Sequence, residues 1–142
     1  MVMVVGLAAS LFGCAMFAPP PPKLAISIVA AAKLKPDSRA RSSPVVVRIY
    51  ELKSATQFAS AYFMALFDQY RTVLASDIVV REEFVMQPGE TKGIDELLAP
   101  ETQAIGVVAA FRDLKRAPWR GVALLTPGKD NTVTTHLEGV FI

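Results

Sequence analysis

Hydrophobic residues alternate with small or polar ones in several separate stretches of the chain, as half-buried strands require. In KLAISIVAA, residues 23–31, Leu24, Ile26 and Ile28 recur at every second position and predict a first strand. VVVRIYEL, residues 45–52, sets Val45, Val47 and Ile49 on one face and Val46, Arg48 and Tyr50 on the other, a second strand. Between them AKLKPDSRARSSP, residues 32–44, is polar, basic and turn-rich, a loop long for a compact domain. Then the period changes. SATQ at 54–57 matches a capping box, in which Ser54 and Gln57 satisfy each other's backbone donors. Phe58, Tyr62, Leu66 and Tyr70 follow at four-residue intervals with Phe63 and Phe67 beside them, predicting an amphipathic helical segment with a break near Ser60. Strand character returns at 78–86, QPGE at 87–90 is a tight turn, and 91–98 is a weaker strand. IGVVAAF, residues 105–111, is short enough for a buried strand; further strands are predicted at 119–125 and 132–141, the last with Val133, Thr135, Leu137 and Phe141 facing one way. About seven to eight short strands, with a short helical insertion after the second, predict a mainly β fold, an antiparallel β-sandwich.

The first 22 residues stand apart, because Lys23 is the first ionised side chain. Met1 to Ala18 is apolar and is followed by Pro19-Pro20-Pro21-Pro22, a stiff extended spacer that stops any helix. That separates the stretch from the core and leaves an uncleaved membrane anchor or a signal peptide. LFGC, residues 11–14, contains the only cysteine of the chain. Leu at −3, Gly at −1 and Cys14 at +1 resemble a bacterial lipobox, in which the sulfur receives a diacylglycerol and the small residue admits the peptidase. Ala15 after the cysteine then implies sorting to the outer membrane. A buried, inert Cys14 is the bland alternative. On the lipobox reading the chain divides into a signal peptide (1–13), a lipidated Cys and Pro-rich spacer (14–22) and a β-sandwich domain (23–142).

Composition adds exclusions. The 142 residues suit one domain, and a net charge of +2 gives no argument for nucleic acid. One cysteine rules out an intrachain disulfide and a thiolate metal cluster. His136 is the lone histidine and is predicted to face solvent from the last strand; Glu82 and Glu83 are neighbours in a strand and so diverge. The nucleophile elbow, the phosphate loop and the dinucleotide fingerprint are absent from the sequence. These readings give no enzyme, no cofactor beyond a covalent lipid on Cys14, and no small-molecule substrate. Two features remain. The basic loop with Lys33, Lys35, Arg39 and Arg41 is either a partner-binding loop or a solvated one, and Trp119 is either an interface anchor or part of the core.

The order of LFGC, SSPVVVRIYELKSATQF, FASAYFMALF, SDIVVREEFVMQPGE and IGVVAAFRDLKRAPWR resembles the TssJ (SciN) family, the outer-membrane lipoproteins of the bacterial type VI secretion system. The resemblance implies a transthyretin-like sandwich on the periplasmic face of the outer membrane. It also implies a structural role, holding the secretion complex by binding the periplasmic C-terminal region of TssM, an IcmF-like protein. The loop between the first two strands is the family's contact, which here means Lys35, Pro36, Asp37, Ser38, Arg39, Arg41 and Ser42. The alternative is a lipid-anchored ligand- or glycan-binding sandwich.

Overall fold

A computed structural model of the chain describes residues 18–34, 43–115, 118–138 and 140–141. The strands are β1 (Lys23–Ala30), β2 (Val45–Leu52), β3 (Ile78–Met86), β4 (Thr91–Leu97), β5 (Ala104–Ala110), β6 (Arg120–Leu124), β7 (Asn131–Leu137) and β8 (Val140–Phe141). They form two four-stranded sheets, β4-β1-β7-β8 and β3-β2-β5-β6. The period-two pattern decides which faces meet. Leu24, Ile26 and Ile28 of β1 pack against Val45, Val47 and Ile49 of β2, with Val107 and Val133 in the same core.

The pairing is antiparallel except between β1 and β7, which run parallel with Leu24 opposite Asn131 and Ala30 opposite Leu137. A single last strand at 132–141 is expected from the pattern, but the chain turns at Glu138 and β8 folds back with Phe141 opposite His136. His136 is exposed between buried Thr135 and Leu137, as the alternation predicts.

The helical insertion is three short helices, α1 (Thr56–Ser60), α2 (Phe63–Asp68) and α3 (Tyr70–Leu74), followed by a 3-10 turn at Ala75–Asp77. The breaks change which residues face inward. Phe58 and Leu66 are buried, whereas Tyr62, expected on the same face, sits in the extended link before α2 and is 85% exposed. The capping box does not form: Ala55 is the N-cap of α1 without a side-chain bond, and the Ser54 hydroxyl instead accepts from the Thr56 N–H at 3.3 Å. The helices cover the outer face of the β2/β5 sheet, where Tyr50, Leu52, Phe58, Leu66, Leu74, Ala104 and Val108 make a second core. β2 is therefore buried on both faces over its second half.

Candidate functional site

The two ends of the sandwich differ in what they carry. Pro19–Pro22 line a groove with Leu98, Pro100, Gln103 and Pro127, and the Pro22 carbonyl accepts from the Leu98 N–H at 2.8 Å. Lys23 N–H donates to Asp130 at 2.8 Å. The tetraproline run, expected as a spacer, is thus fastened to the domain where it enters β1. We call this the tether end. It also holds the ends of β2, β4 and β6 and the start of β5, because Gln103 N–H reaches the Leu52 carbonyl and Leu125 N–H reaches the Gln103 carbonyl.

The opposite, far end is set by strand direction. β1 leaves the tether end and β2 returns to it, so the described flanks of the segment joining them, residues 31–34 and 43–44, lie at the far end. Its described flanks are well held: Leu34 is buried in the main core, and Val45 opens β2 in the same core. Ala31 carbonyl accepts from Gly89 N–H of the QPGE turn at 3.0 Å, and Gly89 takes φ 80°, which glycine adopts without strain. The partner-loop residues Lys35, Pro36, Asp37, Ser38, Arg39, Arg41 and Ser42, and the lipidation residue Cys14, lie outside the described residues. With β1 eight residues long, the two ends are about 26 Å apart.

The helical layer is locked to the sheet by arginines that the hydrophobic pattern does not single out. Arg120 of β6 donates from Nη1 to the Phe58 carbonyl at 3.0 Å and the Ala61 carbonyl at 2.6 Å. These carbonyls belong to the end of α1, where acceptors lack helical partners and a cation is favoured. Arg48 of β2 does the same for α2, donating to the Phe67 carbonyl while stacking on the Phe67 ring at 3.7 Å. Its Nε donates to Glu83, which is also held by Arg81 at 3.1 Å. Arg48, helped by Arg81, draws the Glu83 carboxyl below its usual range. Trp119 is half-buried and meets Phe63 edge-on at 5.2 Å, so it serves the second core.

A carboxyl cluster closes the tether end. Glu51 continues the inward row of β2 and is only 4% exposed; the Thr102 hydroxyl donates to it at 2.7 Å. Glu96 of β4 is half-buried opposite Leu24. Burial first, then the charge and hydrogen bonding of Glu51, and then Glu82, push the Glu96 carboxyl up to about 7. Glu82 and Glu83 do diverge, Glu82 toward this cluster and Glu83 toward Arg48. Among the described residues no group of His, Cys, Asp and Glu is placed to hold a metal ion, and no helix is long and apolar enough to cross a membrane.

A family model described as a type VI secretion lipoprotein (VasD, EvfM, TssJ) matches residues 22–139. The chain belongs to the TssJ family of type VI secretion lipoproteins. The crystal structure of the TssJ-family lipoprotein TssJ1 from Pseudomonas aeruginosa is similar at 36% identity and a TM-score of 0.79, over 83% of this chain and 90% of that one. Serratia marcescens Lip, a membrane-bound component of the type VI secretion system, shares the fold at 21% identity and a TM-score of 0.75, over 85% and 96% of the two chains. A chain in a structure described as the TssM C-terminal domain from EAEC is 28% identical, with a TM-score of 0.66 over 84% and 95%. Comparison with curated proteins returns no match. In this TssJ-family sandwich the end of β1 and the start of β2 lie opposite the Pro19–Pro22 entry to β1.

Proposed function

We propose that the chain is the outer-membrane anchor of a type VI secretion membrane complex, with no enzymatic step of its own. Cys14 carries the lipid after removal of residues 1–13, and acyl chains bury at about 0.8 kcal/mol per methylene. The domain stands on the periplasmic face of the outer membrane, and its far-end loop, Lys35 to Ser42, binds the C-terminal periplasmic region of TssM. Arg39 and Arg41 make charge-assisted contacts to carboxylates there.

The observation that carries this reading is the opposition of the two ends: Pro22 is pinned at one, and Leu34 and Val45, which flank the loop in sequence, are buried at the other. A rigid β platform between them transmits load from partner to lipid. The similarity to a chain in a structure described as the TssM C-terminal domain supports the choice of partner. Cys14→Ser tests the reading in cells. The variant is expected to leave the outer-membrane fraction and to release TssM from it. A Cys14→Ser protein that stays in that fraction contradicts the anchor.

A further inference from the structure

A groove of about 500 Å³ opens between α3 and the start of β3, lined by Tyr70, Arg71, Ala75, Ile78, Val79 and Arg81. Among these described lining residues two are arginines and none is acidic. Arg71 Nε donates to the Tyr70 hydroxyl at 3.0 Å, and the guanidinium carbons of Arg71 and Arg81 lie 5.7 and 4.7 Å from the Tyr70 ring centre. Arg71, with help from Arg81 and Arg48, holds the Tyr70 phenol below its ordinary range, a sign of local positive potential. Among the described residues Arg81 pairs with Glu83, which Arg48 shares, and the carboxylate next along the chain to the lining is Asp77, just before Ile78.

The backbone here is irregular twice over. Ala75 adopts φ 44° and ψ −117°, a conformation that L-residues avoid. Leu52 pairs with Ile78 and Glu51 with Val80, which leaves Val79 as an extra residue in a bulge. Both distorted residues, Ala75 and Val79, line the groove. Ile78 is the β3 residue paired with Leu52, so the groove lies at the tether end.

We propose that this groove binds the phosphate of an anionic phospholipid headgroup, with Arg71 and Arg81 as its ligands, and thereby seats the tether end on the membrane. The inference rests on the lipid-anchored reading, because only then does this end face lipid. Two arginines converging on one open groove suit a phosphate, which accepts several charge-assisted bonds at once. The anchor alone leaves the domain free to pivot; a second contact beside it fixes which way the far-end loop points.

Residues 18–142 hold every described strand and helix, and among the described residues both cores draw on positions between Leu24 and Leu137; they lack Cys14. Their co-sedimentation is measured with vesicles of phosphatidylethanolamine and phosphatidylglycerol, and with vesicles of phosphatidylethanolamine and phosphatidylcholine. Binding is expected to the first only, weaker at high salt, and lower by about fivefold for each arginine removed in Arg71→Glu and Arg81→Gln. Arg71 is exposed, so Arg71→Glu tests the site even if Arg81→Gln disturbs the Glu83 pairing. Equal binding to both vesicles, or binding unaffected by Arg71→Glu, overturns the proposal. So does protection of Arg71 by inorganic phosphate without vesicle binding, which assigns the groove to a soluble anion. The Cys14→Ser fractionation reports on the anchor independently.

Discussion

Phe58 lies against the backbone of Gly106: a Cβ built on Gly106 would stand 2.6 Å from Phe58 Cζ and within 2.8 Å of the neighbouring ring atoms. The helical layer approaches the β5 strand this closely because position 106 has no side chain. Gly106→Ala is expected to push the Phe58 ring out of the second core and cost about 1–3 kcal/mol. Chemical denaturation with an unchanged m-value would show it. Phe58→Ala is expected to cost about 3–5 kcal/mol through the cavity it leaves.

Arg120 ties α1 to β6 through two carbonyls. Arg120→Ala removes the donors while both acceptors stay partly buried, so a loss of about 1–3 kcal/mol is expected. Amide exchange should accelerate first within 56–61, because the sheet beneath does not depend on this contact.

Thr135 is fully buried in β7, and its hydroxyl has no hydrogen-bond partner among the described residues. Thr135→Val replaces that orphaned group by a methyl of similar shape. A gain of about 1 kcal/mol in unfolding free energy is expected.

Glu96 gives the domain a pH dependence of definite sign. Its folded value of about 7 lies above the ordinary 4.5, so the folded state binds the extra proton. Its contribution to stability is complete below about 4.5 and is lost as pH rises through about 7. Unfolding midpoints should therefore fall across that interval and level off above it. Glu96→Gln keeps a donor beside Glu51 and is expected to flatten the profile.

The hydrophobic alternation reveals β1 and β2 almost to the residue, because Leu24-Ile26-Ile28 and Val45-Val47-Ile49 each have a single dry face. The helical insertion is legible as helix but not as three pieces: a four-residue interval places Tyr62 with Phe58, whereas the extended residues at 61 and 62 turn it outward. The parallel β1–β7 pair joins segments more than a hundred residues apart, and nothing local encodes such a partner. Glu51 reads as the polar end of a strand, yet it points inward because Glu96 and Thr102 await it there. Arg48 and Arg120 look like ordinary strand cations until the helix ends above them are seen. Of the residues proposed to be functional, Cys14 is read from the lipobox-like LFGC and the loop from the family resemblance, while the groove at Arg71 and Arg81 sits beside a bulge and a strained alanine that no pattern announces.

The central claim is that lipid and partner occupy opposite ends of one rigid sandwich. It is tested most directly by calorimetric titration of residues 18–142 with the C-terminal periplasmic region of TssM from the same organism. Three forms are compared: the parent domain, the far-end variant Arg39→Ala/Arg41→Ala, and a tether-end variant, Lys129→Ala. Lys129 is an exposed residue beside Pro127, which lines the Pro19–Pro22 groove. The Arg39/Arg41 change is expected to weaken binding by about tenfold or more, at about 1–3 kcal/mol for each lost charge-assisted contact, while the tether-end change leaves it unaltered. Binding lost on the Lys129 change and indifferent to Arg39 and Arg41 would contradict the claim.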